Sequence, residues 1–223
     1  MTTSYHRLHF LVEGQSEEIV VNNVLAPYLA DSGWTVTKSI VTTKRPAGGP
    51  NHRGGVSCWS KVDREIKLLL RDSSIEILTT LFDFYAFPPD APGMADIPPG
   101  LAPHDRVAHV ETSLAAAAAD RRFVPHLILH ELETWVFAAA EQVGCLLPGL
   151  TERLLEDVHL AGGPEFVNDG PDTAPSKRIL NYCPQYSKTN DGPLAIADLG
   201  IEELRSQCPH FDSWLEGLRD RLP

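Results

Sequence analysis

The chain has 223 residues, 43% hydrophobic and 22% charged, the balance of a folded domain, which excludes disordered, collagen-like and disulfide-scaffold classes. Its 19 Lys and Arg stand against 30 Asp and Glu, a formal charge of -11, so a nucleic acid is not held by bulk electrostatics. No apolar run suits a membrane span and no signal-peptide pattern opens the sequence, so the cytoplasm is the expected compartment; Cys58, Cys145, Cys183 and Cys208 are too scattered for a zinc knuckle.

In chain order, Leu8 to Val12 is a short apolar run ending in Glu13 and Gly14, which predicts a strand and a turn. From Ser16 the apolar residues Ile19, Val20, Val24 and Tyr28 recur at helical spacing. Ser16 is the expected cap, and Glu17 and Glu18 sit in the first turn, where the positive end of the helix dipole favours them. Trp34 to Val41 predicts a second strand, the Gly- and Pro-rich residues 46–55 a loop, and Ser57 to Leu70 a helix. Ile75 to Phe82 is almost continuously apolar, as in a buried parallel strand, with Asp83 at its end. Six prolines between Ala86 and Asp105 predict a long irregular excursion, followed by a helix over Val107 to Ala119. Val124 to Leu129 predicts a further strand running into His130-Glu-Leu-Glu-Thr134 and a helix. This alternation predicts an α/β domain over residues 1–144, a parallel sheet flanked by helices. Beyond Gly144 the pattern is helical, with helices near Ile201 to Gln207 and Phe211 to Leu222, so residues 145–223 are expected to form a C-terminal helical extension packed on the sheet.

Ligands of open parallel sheets bind outside the carboxyl ends of the strands. Glu13, Asp83, and Glu131 with Glu133 stand at three such ends, and Glu17 lies one helical turn after Glu13. Carboxylates converging there without as many basic partners repel one another unless a hard cation lies between them, and an oxygen-only ligand set suits Mg2+ or Mn2+. Taken singly, each has a plainer reading as a turn residue, a strand end or a first-turn helix charge. His126 and His130 read as sheet residues, because the second histidine of a zincin helix would stand where Thr134 does. Between Lys38 and Arg71, eight basic residues (Lys38, Lys44, Arg45, Arg53, Lys61, Arg64, Lys67, Arg71) face two acidic ones, a local excess able to meet a polyanion.

Val12 to Glu18, Thr42 to Arg45, Leu81 to Tyr85, Arg122 to Pro125, His130 to Glu133, Ala174 to Arg178 and Cys208 to Phe211 carry a resemblance. The chain resembles a Toprim domain, the metal-binding α/β module of topoisomerases, primases and overcoming-lysogenization-defect nucleases. More specifically, it is similar to a bacterial Toprim-like family known as domain of unknown function 4276. The resemblance implies that Glu13 and Glu17 form the first acidic pair and that Asp83 is the first aspartate of an Asp-x-Asp motif. Tyr85 stands in the place of the second aspartate, so Glu133, then Glu131, is expected to supply the lost coordination.

The resemblance further implies Mg2+- or Mn2+-dependent hydrolysis of DNA or RNA. Glu13, Asp83 and Lys177 are the implied catalytic residues, with Arg178 or Lys188 as substitutes for the lysine. Ser176 after Pro175 reads equally as a plain helix cap. The resemblance also implies an ATPase partner in an anti-phage defence module, since relatives of Toprim nucleases are often paired with or fused to ATPases, and the chain has no phosphate-binding Gly-x-x-x-x-Gly-Lys-Ser/Thr loop of its own. The alternative from another class is a non-catalytic, metal-binding subunit of an ATPase complex.

Overall fold

The computed structural model describes residues 6–41, 58–85, 87–167 and 173–221. Strands β1 (His6–Val12), β2 (Trp34–Ile40), β3 (Ile77–Asp83), β4 (Phe123–Val124) and β5 (Leu127–Ile128) form one parallel sheet in the order β2-β1-β3-β4, with β5 also paired to β3. β1 and β3 lie inside the sheet and are covered on both faces, which is why they read as continuous apolar runs. β1 deals its side chains alternately to two cores: Leu8, Phe10 and Val12 to one, Leu11 to the other.

The expected single strand over Val124 to Leu129 is broken at Pro125 and His126. Proline has no N–H to give the ladder. The hydroxyl of Thr80 takes its place, accepting the His126 N–H at 2.9 Å and donating to the His126 carbonyl at 2.9 Å. The first helical run is also interrupted, as α1 (Gln15–Val20), a π-helical turn at Val21–Leu25, and α2 (Ala26–Asp31). Pro27 explains the wide turn, because its ring has no N–H for the Asn23 carbonyl and pushes that carbonyl away. Helix α1 starts directly after Gly14, so Ser16 falls inside the helix and is not its cap.

Helix α3 (Trp59–Leu69) and α4 (Pro103–Ala118) pack on the Leu11 side of the sheet. α4 starts earlier than expected because Pro103 occupies the first turn, where a missing N–H costs nothing. Then follow α5 (Glu133–Ala138), α6 (Ala140–Leu146), α7 (Thr151–Ala161), a 3-10 turn (Pro164–Phe166), α8 (Pro175–Tyr182), α9 (Asp191–Leu199), α10 (Ile201–Gln207) and α11 (Pro209–Arg219). Trp135 of α5, Ile196 of α9 and Phe211, Trp214 and Leu215 of α11 join Leu8 and Phe10 in one core. Among the described residues no helix is long and apolar enough to cross a membrane. The predicted glycine-rich loop, with Lys44, Arg45 and Arg53 of the basic segment, lies outside the described residues.

Candidate metal centre

The sheet sets the site. β1 and β5 both pair with β3, so the residues that follow these strands emerge side by side. Glu13 leaves β1 and turns its Oε2 to accept the backbone N–H of Asp83, the last residue of β3, at 3.2 Å. Asp83 in turn accepts the N–H of Leu132 through Oδ1 at 2.9 Å, tying the end of β3 to the turn after β5. That turn is sharp: His130 takes the left-handed backbone conformation, φ 68°, which a non-glycine residue holds only where its surroundings enforce it. Here the His130 carbonyl accepts the Tyr85 N–H at 2.7 Å, and its Nε2 lies 3.2 Å from the carbonyl oxygen of Glu165. Glu131 and Glu133 follow at once and are buried, as is Glu17 in α1.

Burial raises four of the carboxyl groups, Glu13, Glu17, Asp83 and Glu133. Burial first, then the charge of Glu17, pushes the Glu13 carboxyl up to about 7, against the N–H of Asp83 and the ammonium of Lys188. Burial also raises Glu17. Asp83 is pushed well above the usual range by burial, then by Glu13, Glu17, Glu133 and Glu131. Burial raises Glu133 to about 7, with Lys188 opposing it. The other four predicted acidic residues therefore all act on Asp83.

Lys188 brings a cation to this centre. Its Nζ donates to Oε2 of Glu133 at 3.2 Å and lies 3.7 Å from Oε1 of Glu131. Burial works against its charge, but Glu133, Glu131 and Asp83 outweigh that and raise its pKa. Tyr186, two residues earlier, points its hydroxyl at Oε1 of Glu133 at 3.4 Å. Lys177 is exposed in the first turn of α8, and Arg178 is engaged with Asp157 at 2.9 Å. The Pro-Ser-Lys-Arg segment meets the centre through Ser176, whose N–H and hydroxyl both donate to Glu131, at 2.8 and 3.0 Å. Glu131 thus caps α8 from outside, and Ser176 is not the cap. Lys188 sits in an irregular turn without hydrophobic periodicity, so nothing local marks it above Lys177; only the fold brings it to the carboxylates.

A tighter group of metal-binding side chains lies elsewhere. Among the described residues, Glu111, His126 and His210 bring three ligand atoms within 4.8 Å of one another, and no sequence pattern links positions so far apart.

The family described as Domain of unknown function (DUF4276) matches residues 12–219. No curated protein matches the chain. Among solved structures, the C-terminal region of the Xanthomonas campestris pv. campestris OLD protein is similar at 19% identity, over 97% of this chain and 96% of that one, with a TM-score of 0.43. The C-terminal region of the Burkholderia pseudomallei OLD protein is similar at 15% identity, over 97% of this chain and 98% of that one, with a TM-score of 0.45.

Proposed function

The chain belongs to the family of domain of unknown function 4276, and on that premise we propose that it is a Mg2+- or Mn2+-dependent nuclease hydrolysing phosphodiesters of DNA or RNA. The observation that carries this reading is the gathering of half-buried Glu13 and Asp83 with buried Glu17, Glu131 and Glu133 at three adjoining strand ends beside the ammonium of Lys188. Such a group opposes folding, since each buried carboxylate raises the cost of the next, and perturbed acids of this kind concentrate at functional sites.

The donor set fits a hard divalent cation, being oxygen throughout. Glu131 is already committed to Ser176, which leaves Glu13, Glu17, Asp83 and Glu133 as the main holders. When bound, Mg2+ or Mn2+ supplies charge that polarises a phosphate oxygen and lowers the pKa of a water. The residues do the rest. Glu13, at the end of β1 beside the Asp83 N–H, takes a proton from the attacking water. Lys188 offers its ammonium to the charge developing on the phosphate, in the role expected of Lys177. Tyr186 and Lys188 fix Glu133 from two sides.

Nucleic acid is assigned to the basic segment from Lys38 to Arg71, of which Lys61, Arg64 and Lys67 lie on α3. An ATPase partner, a cytoplasmic setting and an anti-phage role belong to the same proposal; the partner would supply the nucleotide-driven control for which the sequence carries no phosphate-binding loop. The test incubates purified protein, alone and with any ATPase encoded beside it, with plasmid, single-stranded DNA and total tRNA in Mn2+ and in EDTA. Cleavage in Mn2+ that EDTA abolishes is the expected result. Cleavage that persists in EDTA rejects the mechanism, and metal binding without cleavage under any condition replaces it with the non-catalytic subunit.

A further inference from the structure

Polar groups that the acidic centre does not use, buried His126 and half-buried Glu111 and His210, gather where α4, the break between β4 and β5, and the start of α11 meet. Oε1 of Glu111 accepts the Leu127 N–H at 2.8 Å, lies 3.1 Å from Nε2 of His210, and stands 3.5 Å from Nδ1 of His126. His126 is 1% exposed, yet neither of its ring nitrogens makes a hydrogen bond. A fully buried imidazole without a hydrogen-bond partner is costly, and native proteins rarely leave one in that state without a use for it.

The surroundings hold these side chains in place. The His126 ring stacks on Trp214 at 4.2 Å and 12°, and the Trp214 indole N–H donates to Thr79 Oγ1 at 3.0 Å. Its backbone is clasped on both sides by the Thr80 hydroxyl. His210 stands in the first turn of α11, where the carboxylate of buried Glu165 accepts the N–H groups of His210 and Phe211 at 3.0 and 3.2 Å and meets Nε2 of His104 at 2.9 Å. Glu165 is therefore filled by its own contacts and serves to fix the start of the helix that carries His210. The His210 side chain is 13% exposed, which gives the cluster access to solvent.

We infer that Glu111, His126 and His210 form a second metal site, for a borderline transition ion of the Zn2+ class. Two imidazole nitrogens and one carboxylate oxygen are the donors such ions select, and three protein ligands leave one position open. The rings of His126 and His210 lie 21° from parallel at 4.9 Å, so closing on a common ion turns the His210 ring, the one that reaches solvent. The ion joins α4 and α11 to the sheet across the broken strand. This site does not depend on the nuclease reading, because it shares no ligand with the acidic centre.

Co2+ titrated into the metal-free, full-length protein tests it. A tetrahedral Co2+ absorption band is expected, with a fall in tryptophan emission from Trp214 against His126, and stoichiometric Zn2+ should bleach the band where excess Mg2+ does not. His210→Ala and Glu111→Gln should lose the band with unchanged circular dichroism, while Glu13→Gln combined with Asp83→Asn should keep it. His210 is partly exposed, so its variant separates ligand loss from unfolding. No band in the wild type, a band retained in both ligand variants, or a band lost in the acidic double variant overturns the proposal.

Discussion

At the strand ends, burial raises Glu13, Glu17, Asp83 and Glu133, and neighbouring carboxylates add to the rise at Glu13, Asp83 and Glu133, whereas at the junction of α4 with α11 acid alternates with base: His104 and Glu165, then His210 and Glu111 beside His126. One cluster works against the fold and the other braces it. The first gathers like charges beside the ammonium of Lys188 and so stores repulsion that a ligand can relieve. The second takes helix N–H groups and imidazoles onto carboxylates and so pins α11 to the sheet. Two buried polar clusters in one molecule therefore have opposite consequences, decided by whether each carboxylate faces another acid or a donor.

The sharpest way to break this comparison is Asp83→Asn. The amide oxygen still accepts the Leu132 N–H, so the fold is kept, while cleavage is expected to fall by about a thousandfold, roughly 4 kcal/mol of transition-state stabilisation. Turnover on plasmid, read beside a thermal melt, separates the two effects; undiminished turnover would remove the acidic centre from the chemistry. Lys188→Ala comes next, with a loss of about a hundredfold, or roughly 3 kcal/mol. Measured beside Lys177→Ala, the larger loss identifies the lysine that serves the phosphate.

The bracing cluster is tested by Glu165→Ala, which leaves two N–H groups at the start of α11 and the His104 ring without their acceptor. Urea unfolding should show a loss of about 3 kcal/mol, and Glu165→Gln a smaller one because its amide oxygen still accepts. The opposite sign is expected at the strand ends. Glu13 and Glu133 are raised from 4.5 to about 7 in the folded protein. The folded state therefore holds protons that the unfolded state has released, and the stability they contribute is full below 4.5 and is lost as pH rises through about 7. In metal-free buffer Glu13→Gln should flatten that fall and unfold later than wild type above neutrality, by about 1–2 kcal/mol. A variant that is inactive yet more stable separates a functional cluster from a structural one; a variant destabilised at every pH would erase the distinction.

The acidic centre was legible because a parallel sheet turns chain order into geometry: an acid that follows a buried apolar run stands at a strand end, as Glu13 and Asp83 do. Glu17 was reached through the helical repeat. Lys188 was less legible, since its partner Glu133 is 55 positions away and nothing local distinguishes it from Lys177. The histidine cluster was not legible at all. Glu111 reads as one more charge on an alanine-rich helix, and His210 meets it across 99 positions. His126 reads as an ordinary strand residue because the substitution of the Thr80 hydroxyl for a ladder bond is a tertiary event. The π-helical turn before Pro27 and the early start of α4 at Pro103 were missed for a more local reason, as proline penalties depend on the exact position in a turn.

The packing of Trp214 on Phe10, edge to face at 6.0 Å, reaches from α11 to the first strand of the sheet. During synthesis β1 leaves the ribosome early, but the aromatic ring that covers it does so only some two hundred residues later. Contacts of that span make loop closure slow and leave one face of the nascent sheet open to other chains in the interval. Folding yield, more than final stability, is therefore the property most exposed to change in α11. Substitutions at Phe211 or Trp214 should first appear as aggregated product, at fast and slow expression alike, because the cover itself is what is lost.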